Sequence, residues 1–273
     1  MFISIPRHQA QSSPPMSAQI NWSHPLSKGL TSCCLLNEGG GLAIKDIAQN
    51  YISTATAFTW PATSLNSNLG TQAAFDGSTS TVFLKSPDLV IPSNSPGLTF
   101  SCWVNSSGNI ATDSQRFMVL ATGGLGSQFS LLMGRTANKM SAFARTSSSG
   151  LIQIDSSITI STNTWYHVCA TMTTGAFNLY INGNNVGTNA TSDLTGTIGS
   201  IVSTWNITLG SISGTAVLTG KMAVALIHTR ALTPSEVQQL YSSPYCFLQP
   251  PRLYSVDVPA GGASTLIYHA MIG

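Results

Sequence analysis

Short apolar stretches recur along the chain from about residue 30 onward, with Gly, Asn and Ser between them. Runs of this kind, bounded by turn residues, are typical of β-strands. The predicted strands are Thr31–Leu36, Thr71–Phe75, Thr81–Lys85, Leu98–Val104, Phe117–Thr122, Phe129–Met133, Lys139–Arg145, Leu151–Ile154, Trp165–Thr173, Ala176–Ile181, Trp205–Leu209 and Lys221–His228. Many short strands at this spacing favour an all-β sandwich or barrel over alternating strands and helices.

The clearest local signal is a β-hairpin over Phe177–Gly187. Alternation of apolar and polar residues places Phe177, Leu179 and Ile181 on one face of a strand. Asn182-Gly183 then supplies the positive φ angles that a tight two-residue turn requires. We therefore expect two adjacent antiparallel strands here.

One helix is predicted, close to the end of the apolar pattern. Thr233–Glu236 combines an N-cap threonine, a proline at the first helical position and a glutamate in the first turn, which resembles a capping box. Val237, Leu240 and Tyr241 follow at helical spacing, and the helix is expected to end before Pro244.

Composition limits the classes of function. The 273 residues suit one large sandwich domain, and with 42% hydrophobic and only 7% charged residues the chain should fold. A net charge of +2 without a run of Lys or Arg argues against nucleic-acid binding. No window reaches about 18 apolar residues, so no membrane span is predicted. The segment Met1–Ile20 lacks the basic and apolar regions of a cleavable signal peptide.

The five cysteines, an odd number, fit no zinc-binding spacing. We expect mostly free, buried thiols, with a single structural disulfide as the alternative. The cysteines are Cys33, Cys34, Cys102, Cys169 and Cys246.

Proline and glycine content divides the chain into three parts. Residues 1–19 are predicted to be an extended N-terminal arm, residues 20–243 the sandwich, and residues 244–273 a Pro/Gly-rich tail. The tail closes on an apolar run containing Leu266, Ile267 and Tyr268, which we predict to pair with this domain or with a sister subunit during assembly.

Four segments, in order, resemble the laminin-G-like, concanavalin A-like family. They are Ala74–Gly77, Gly97–Val104, the stretch Trp165–Gly187 with its W-Y-H-V and L-Y-I-N-G motifs, and Leu209–Val237 with R-A-L-T-P-S-E-V. The resemblance covers roughly residues 30–241. It implies a jelly-roll β-sandwich with one short C-terminal helix. Asn182 stands where the family usually has aspartate.

The resemblance also bears on calcium, which many members of the family bind at a rim. The positions after Gly220 that usually hold acids are Ala223 and Val224 here. Calcium prefers six to eight oxygen ligands including several carboxylates. We therefore assign no metal and no other cofactor, although a calcium site stays possible.

Segments outside the core resemble laminin-G-like proteins of bacteriophages. They are Ile20–Leu26, Leu36–Gly41 and Tyr245–Pro251. This resemblance implies a virion location, as a capsid decoration protein, a head-fibre subunit or a tail-associated adhesin.

Catalysis is not favoured by the distribution of acidic residues. Glycosidases need two carboxylates about 5–9.5 Å apart, and the chain has nine acids, scattered, with Glu38 and Glu236 as its glutamates. We predict no catalytic residues. His167 is explained by the family strand and should have a structural role. Trp103 and Trp165 should lie in the core, whereas Trp22 and Trp60 lie in loops and are the predicted ligand contacts.

These observations predict a non-enzymatic structural and binding protein of a virion. It would form oligomers through sister subunits, contact capsid proteins and adhere to glycans. The alternatives are a carbohydrate-binding lectin or tail-associated adhesin outside the capsid and, less favoured, a glycoside hydrolase.

Overall fold

A computed structural model describes residue 14 and residues 17–61, 69–84, 97–111, 114–122, 126–145, 151–173, 175–190, 205–211 and 216–249. The predicted assembly residues Leu266, Ile267 and Tyr268 lie outside this part of the chain.

The described residues form fifteen strands and one α-helix, with a short 3-10 turn at Pro25–Ser27. The strands are β1 (Leu30–Cys34), β2 (Ala43–Asp46), β3 (Tyr51–Thr56), β4 (Ala73–Asp76), β5 (Thr81–Leu84), β6 (Leu98–Ser106), β7 (Gln115–Thr122), β8 (Gly126–Met133), β9 (Met140–Arg145), β10 (Leu151–Asp155), β11 (Trp165–Met172), β12 (Phe177–Ile181), β13 (Asn184–Asn189), β14 (Trp205–Leu209) and β15 (Thr219–His228). The helix is α1 (Pro234–Ser242).

The strands pair antiparallel in two sheets. The first sheet runs in the order β2, β1, β15, β6, β11, β12, β13, and β4 also pairs with β15. The second sheet runs β10, β9, β8, β7, β14, β5. Strand β3 pairs with β2 of the first sheet and with β5 of the second. The predicted all-β sandwich with one short helix is confirmed.

The main core lies between the two sheets, and aromatic contacts within it connect one sheet to the other. Phe129 of the second sheet lies edge-on to Phe100 of the first, with 4.6 Å between ring centroids. The same ring lies 5.6 Å from Phe177 of β12. All three side chains are buried, and each contributes about 1.5–3 kcal/mol by leaving water.

The hairpin predicted at Phe177–Gly187 is formed by β12 and β13. Its turn residues Asn182 and Gly183 have φ angles of 50° and 79°, as a tight hairpin turn requires. The Asn182 carboxamide accepts a hydrogen bond from the His167 backbone N–H at 2.9 Å. The turn is thereby fixed to the neighbouring strand β11.

Strands β2 and β3 were not predicted, and in β3 the inside–outside pattern runs against hydrophobicity. In β3 the small residues Ser53 and Ala55 are buried, while Ile52 is 62% exposed. A pattern search that assigns the apolar residue to the inner face therefore misses this strand.

A second apolar cluster covers the outer face of the first sheet. Helix α1 supplies Val237 and Leu240, which pack there with the chain segments at both ends of the sandwich. Ile20 and Leu248 form an antiparallel bridge. Residues 244–249, which the sequence-based division assigned to the tail, thus pack against the sandwich.

The helix begins as predicted. Thr233 accepts a hydrogen bond from the Glu236 backbone N–H, and the Glu236 carboxylate accepts one from the Thr233 backbone N–H. Glu236 also forms a two-pronged ion pair with Arg230 at 2.7 and 2.8 Å. Mainly because of the hydrogen bonds from Arg230, the pKa of Glu236 falls to about 2.

The cysteines and the central histidine have the structural roles that we expected. All five cysteines are free thiols and four are buried, with Cys246 half-buried. His167 is buried, with Nε2 2.8 Å from the Ser101 hydroxyl. Burial lowers its pKa to about 3, so the imidazole is neutral at physiological pH.

Trp103 and Trp165 lie partly buried against the second cluster, not in the main core between the sheets. Trp103 stacks on Tyr241 of the helix, with ring centroids 5.7 Å apart. The prediction that these residues serve packing is right, but the location differs because their strand positions face outward.

Candidate ligand-binding site

The outer face of the second sheet carries polar side chains where β7, β8, β9 and β10 lie side by side. Residues of β8 and β9 that face the core, such as Leu131 and Ala142, alternate with outward-facing Ser130 and Phe143. Phe143 pairs across the sheet with Ser130 on one side and Gln153 on the other. We call the group of five side chains gathered here the arginine cluster. Its members are Arg116, Arg135, Phe143, Gln153 and Asp155.

A break in the alternation of β7 directs Arg116 to this face. The pairing of β7 with β8 shifts register between Arg116 and Met118, as in a β-bulge. Phe117 and Met118 are therefore both part of the main core, although they are adjacent in sequence. Arg116 lies on the other side and donates a hydrogen bond from its guanidinium to the Ser130 hydroxyl at 3.1 Å.

Both arginines contact the ring of Phe143. The guanidinium carbon of Arg116 lies 4.8 Å from the ring centroid, and that of Arg135 lies 5.7 Å from it. Cation–π attraction of this kind contributes about 0.5–1 kcal/mol at partly exposed sites. Phe143 is only 3% exposed. Its ring therefore serves as the floor that holds the two guanidinium groups.

Gln153 and Asp155 of β10 complete the cluster. Arg135 donates from Nε to the Gln153 carboxamide oxygen at 2.7 Å. Asp155 accepts hydrogen bonds from Gln153 at 2.8 Å, from Ser141 at 2.6 Å and from Thr136 at 2.7 Å. These bonds fix the amide and the carboxylate, which is the preorganisation that a binding site needs.

The electrostatics of the cluster are dominated by its two cations. Burial, together with the nearby positive charge of Arg135, lowers the pKa of Arg116 to about 10. Burial by itself would raise the pKa of Asp155, but the hydrogen bonds from its neighbours and the charge of Arg135 lower it below its usual value. At neutral pH the cluster therefore carries two positive charges and one negative charge.

The arrangement suits recognition of a polar ring compound. Arginine forks bind carboxylate and related oxyanions through paired hydrogen bonds. Fixed amide and carboxylate oxygens accept hydrogen bonds from hydroxyl groups.

The two tryptophans predicted as ligand contacts differ in environment. Trp22 is 59% exposed and lies beside the paired terminal segments, on the opposite side of the sandwich from the arginine cluster. Trp60 is half-buried against the main core, lies edge-on to Phe58, and donates its indole N–H to the Gly41 carbonyl at 2.8 Å. The structure does not bring the two together, and their ligand roles stay predictions.

Acidic side chains in the described residues are engaged in structural hydrogen bonds. Asp76 accepts bonds from three successive backbone N–H groups of its turn. Asp46 accepts them from Cys33, Ala48 and Gln49. Glu38 accepts one from Lys45 at 2.8 Å, although burial raises its pKa.

The described part of the chain has neither a clustered set of metal ligands nor a membrane-spanning helix. There, no group of three or more His, Cys, Asp or Glu side chains is placed to hold a metal ion. None of the helices in those same residues has the length and hydropathy that crossing a bilayer requires.

The sequence pattern did not predict the arginine cluster. Its residues come from three strands and from the turn between β8 and β9, and they are up to several tens of positions apart. No pattern of adjacent residues marks positions this far apart as neighbours.

Sandwich topology and an outer sheet face with a built polar cluster define a concanavalin A-like binding fold. The chain belongs to the concanavalin A-like lectin/glucanase superfamily, whose laminin-G model matches residues 76–238. This confirms the family resemblance of the sequence motifs. No curated protein matches the chain in sequence.

Solved structures with the same fold include two kinds of binding domain. The binding domain of Paraclostridial mosquitocidal protein 1 has a TM-score of 0.62 and 18% identity, over 80% of this chain and 53% of that one. A botulinum neurotoxin DC binding domain in complex with SialylT has a TM-score of 0.58 and 13% identity, over 79% of this chain and 51% of that one. The chain thus spans about half the length of these toxin domains.

Another structure matches over nearly its whole length. It is domain 4 of AbnA, an extracellular arabinanase from Geobacillus stearothermophilus, in complex with arabinotriose. Its TM-score is 0.60 and its identity 21%, over 82% of this chain and 98% of that one. At this level of identity the likeness concerns the fold.

Proposed function

We propose that this chain is a glycan-binding module without enzymatic activity, which binds a sugar at the arginine cluster and is attached to a virus particle through its terminal segments. The glycan-binding part of this proposal rests on the arginine cluster. It joins two guanidinium groups, an amide and a carboxylate over a buried aromatic ring, on the outer face of a lectin-type sheet.

The relatives support a sugar as the ligand. The AbnA domain, which this chain matches over nearly its whole length, was solved with arabinotriose, so this fold is compatible with saccharide binding. Sugar-binding sites need a few fixed polar groups that hydrogen-bond the hydroxyl groups of the sugar in place of water. Gln153 and Asp155 provide such groups, since neighbouring side chains hold both in place.

Three of the five acids among the described residues have structural partners, which supports binding without catalysis. A glycoside hydrolase needs one carboxylate free to protonate and another free to attack or to activate water. Asp46 and Asp76 stabilise turns, and Glu236 caps the helix and pairs with Arg230. Reducing-sugar release from any bound oligosaccharide would favour the hydrolase alternative.

The positions of the terminal segments support attachment to a particle. The Asn21 backbone N–H donates to the Phe247 carbonyl at 2.9 Å, and the Gln249 N–H donates to the Gln19 carbonyl at 2.8 Å. Both segments therefore meet on the outer side of the first sheet, whereas the arginine cluster lies on the outer side of the second. Anchoring through residues 1–19 and 244–273, including Leu266, Ile267 and Tyr268, would leave the cluster facing outward.

Glycan binding is tested with the full chain on a glycan microarray, followed by titration calorimetry. We expect selective binding that weakens by about 3- to 10-fold in Gln153→Ala, because one hydrogen-bonding group is lost. Gln239→Ala, at an exposed helix position, is the matched control and should bind as the wild type does. A chain that binds no glycan on the array would overturn the proposal.

The predicted role of Trp22 has its own variant. Trp22→Ala removes an exposed indole far from the arginine cluster. Unchanged glycan affinity would show that Trp22 does not contact the ligand. A loss of affinity comparable to that in Gln153→Ala would show a second ligand contact near the terminal segments.

Particle attachment is tested by quantitative peptide mass spectrometry on density-purified particles. A fixed ratio to the major capsid protein supports a decoration or fibre subunit, and deletion of Pro259–Gly273 should then abolish docking. Absence from particles would leave a free lectin or adhesin.

A further inference from the structure

Neither guanidinium group of the arginine cluster forms a salt bridge with an acidic side chain among the described residues, although the charge of Arg135 lowers the pKa of Asp155. The ion pair found in that part of the chain joins Arg230 and Glu236, on the other side of the sandwich. Asp155 is the acid of the cluster, and its oxygens already accept hydrogen bonds from three neutral side chains. The two cations therefore lie together without a matched anion.

Both guanidinium groups keep hydrogen-bonding capacity. Arg116 uses one terminal nitrogen for Ser130, and its buried Nε has no partner within the described residues. Arg135 is exposed and uses Nε for Gln153. A guanidinium has five N–H donors in a planar fork, so most donors of the pair are left for another molecule.

The two cations contact the same Phe143 ring, and their like charges repel each other. The charge of Arg135 destabilises the protonated form of Arg116, as expected for neighbouring like charges. An anion placed between them would relieve this repulsion and satisfy both forks.

We infer that the ligand of the arginine cluster is an acidic glycan, in which a uronic or sialic acid carboxylate binds Arg116 and Arg135 while the hydroxyls of the ring bind Gln153 and Asp155. This inference rests on the proposed function, because it names the class of ligand for the same site. A sulfate ester offers the same charge, and the experiment separates it from a carboxylate.

The test is calorimetric titration of the full chain with four probes of similar size. They are an oligogalacturonate, its methyl ester, 3′-sialyllactose, and a sulfated galactose oligosaccharide. A carboxylate probe should bind, and methyl esterification should weaken binding of the oligogalacturonate by at least about 10-fold, because the ester keeps the shape and loses the charge. Affinity for the acidic probe should fall as salt rises.

Two arginine variants and one control locate the effect. Arg135→Gln removes an exposed charge without disturbing the core and should raise Kd for the acidic probe by about 10- to 100-fold. Arg116→Lys keeps the positive charge but loses the paired N–H donors of the guanidinium, so Kd for the acidic probe should rise less than in Arg135→Gln. Lys28→Gln makes the same charge change at an exposed position beside the 3-10 turn and should leave Kd unchanged.

The outcomes distinguish this inference from the proposed function. Equal binding of neutral and acidic glycans, unaffected by Arg135→Gln, would overturn the acidic-ligand inference and leave glycan binding standing. Binding of the sulfated probe without either carboxylate probe would overturn it as well. Failure to bind any glycan would overturn both.

Discussion

The buried histidines make the stability of this protein depend on pH in a direction that the structure fixes. His167 and His228 are buried, and burial lowers their pKa values to about 3 and about 4. In the unfolded chain a histidine has a pKa of about 6.5. The unfolded state therefore binds more protons as pH falls, so stability is complete above about pH 6.5 and is lost progressively below it.

The size of the effect follows from the unfolded pKa. Between about pH 8 and about pH 5, each histidine that stays neutral in the folded state lowers the free energy of unfolding by about 2 kcal/mol. The two together remove about 4 kcal/mol, a large part of the 5–15 kcal/mol typical of a folded domain. The carboxylates with lowered pKa values contribute only at more acidic pH.

The perturbation is the double variant His167→Phe with Ser101→Ala. It removes both partners of a buried hydrogen bond, which is nearly neutral for stability, and it keeps an aromatic ring beside Trp103. Urea denaturation over the same pH range should show a loss of about 2 kcal/mol instead of about 4 kcal/mol. His167→Phe alone should show the same reduced pH dependence with an additional constant loss of about 1–3 kcal/mol, because the Ser101 hydroxyl loses its partner.

The reasoning fails if the double variant keeps the full pH dependence of the wild type. It fails equally if the wild type is as stable at about pH 5 as at about pH 8, because both histidines would then be protonated in the folded state.

Three further changes can be followed by urea or thermal denaturation. Gly183→Ala places a Cβ against the Gln238 side chain at a φ of 79° and should lower the free energy of unfolding by about 1 kcal/mol or more, whereas Gly175→Ala, with open space around its Cβ, should have little effect. Glu236→Gln should lower it by about 1–2 kcal/mol and reduce the loss of stability that the wild type shows from about pH 4.5 down to about pH 2, because the folded pKa of this carboxyl lies below its unfolded value; the remaining loss comes from Asp76 and Asp155, whose pKa values are also lowered. Phe129→Ala should lower it by about 3–5 kcal/mol through a cavity between the sheets; a value below about 1 kcal/mol would show that this ring does not join the two sheets.

The sequence predicted those elements whose signal is local. The Asn182-Gly183 turn, the alternation of β12 and the capping box of α1 each depend on a few adjacent residues, and all three are present. The family motifs also held, because they lie on the strands that build the first sheet. Strand β3 was not predicted because Ser53 and Ala55 point inward while Ile52 is exposed, and the four-residue strand β2 was not predicted either.

The arginine cluster was decided by tertiary structure. Arg116 faces outward only because a register shift places Phe117 and Met118 together in the core, and no composition rule marks that position. Gln153 meets Phe143 because β10 pairs with β9 in one register, and a slip by one residue would turn each side chain to the opposite face. The sequence by itself determined the elements whose signals lie in adjacent residues, such as the Asn182-Gly183 turn and the capping box of α1. Which distant side chains share one surface depended on strand register and bulges, which exist only once the sheets are paired.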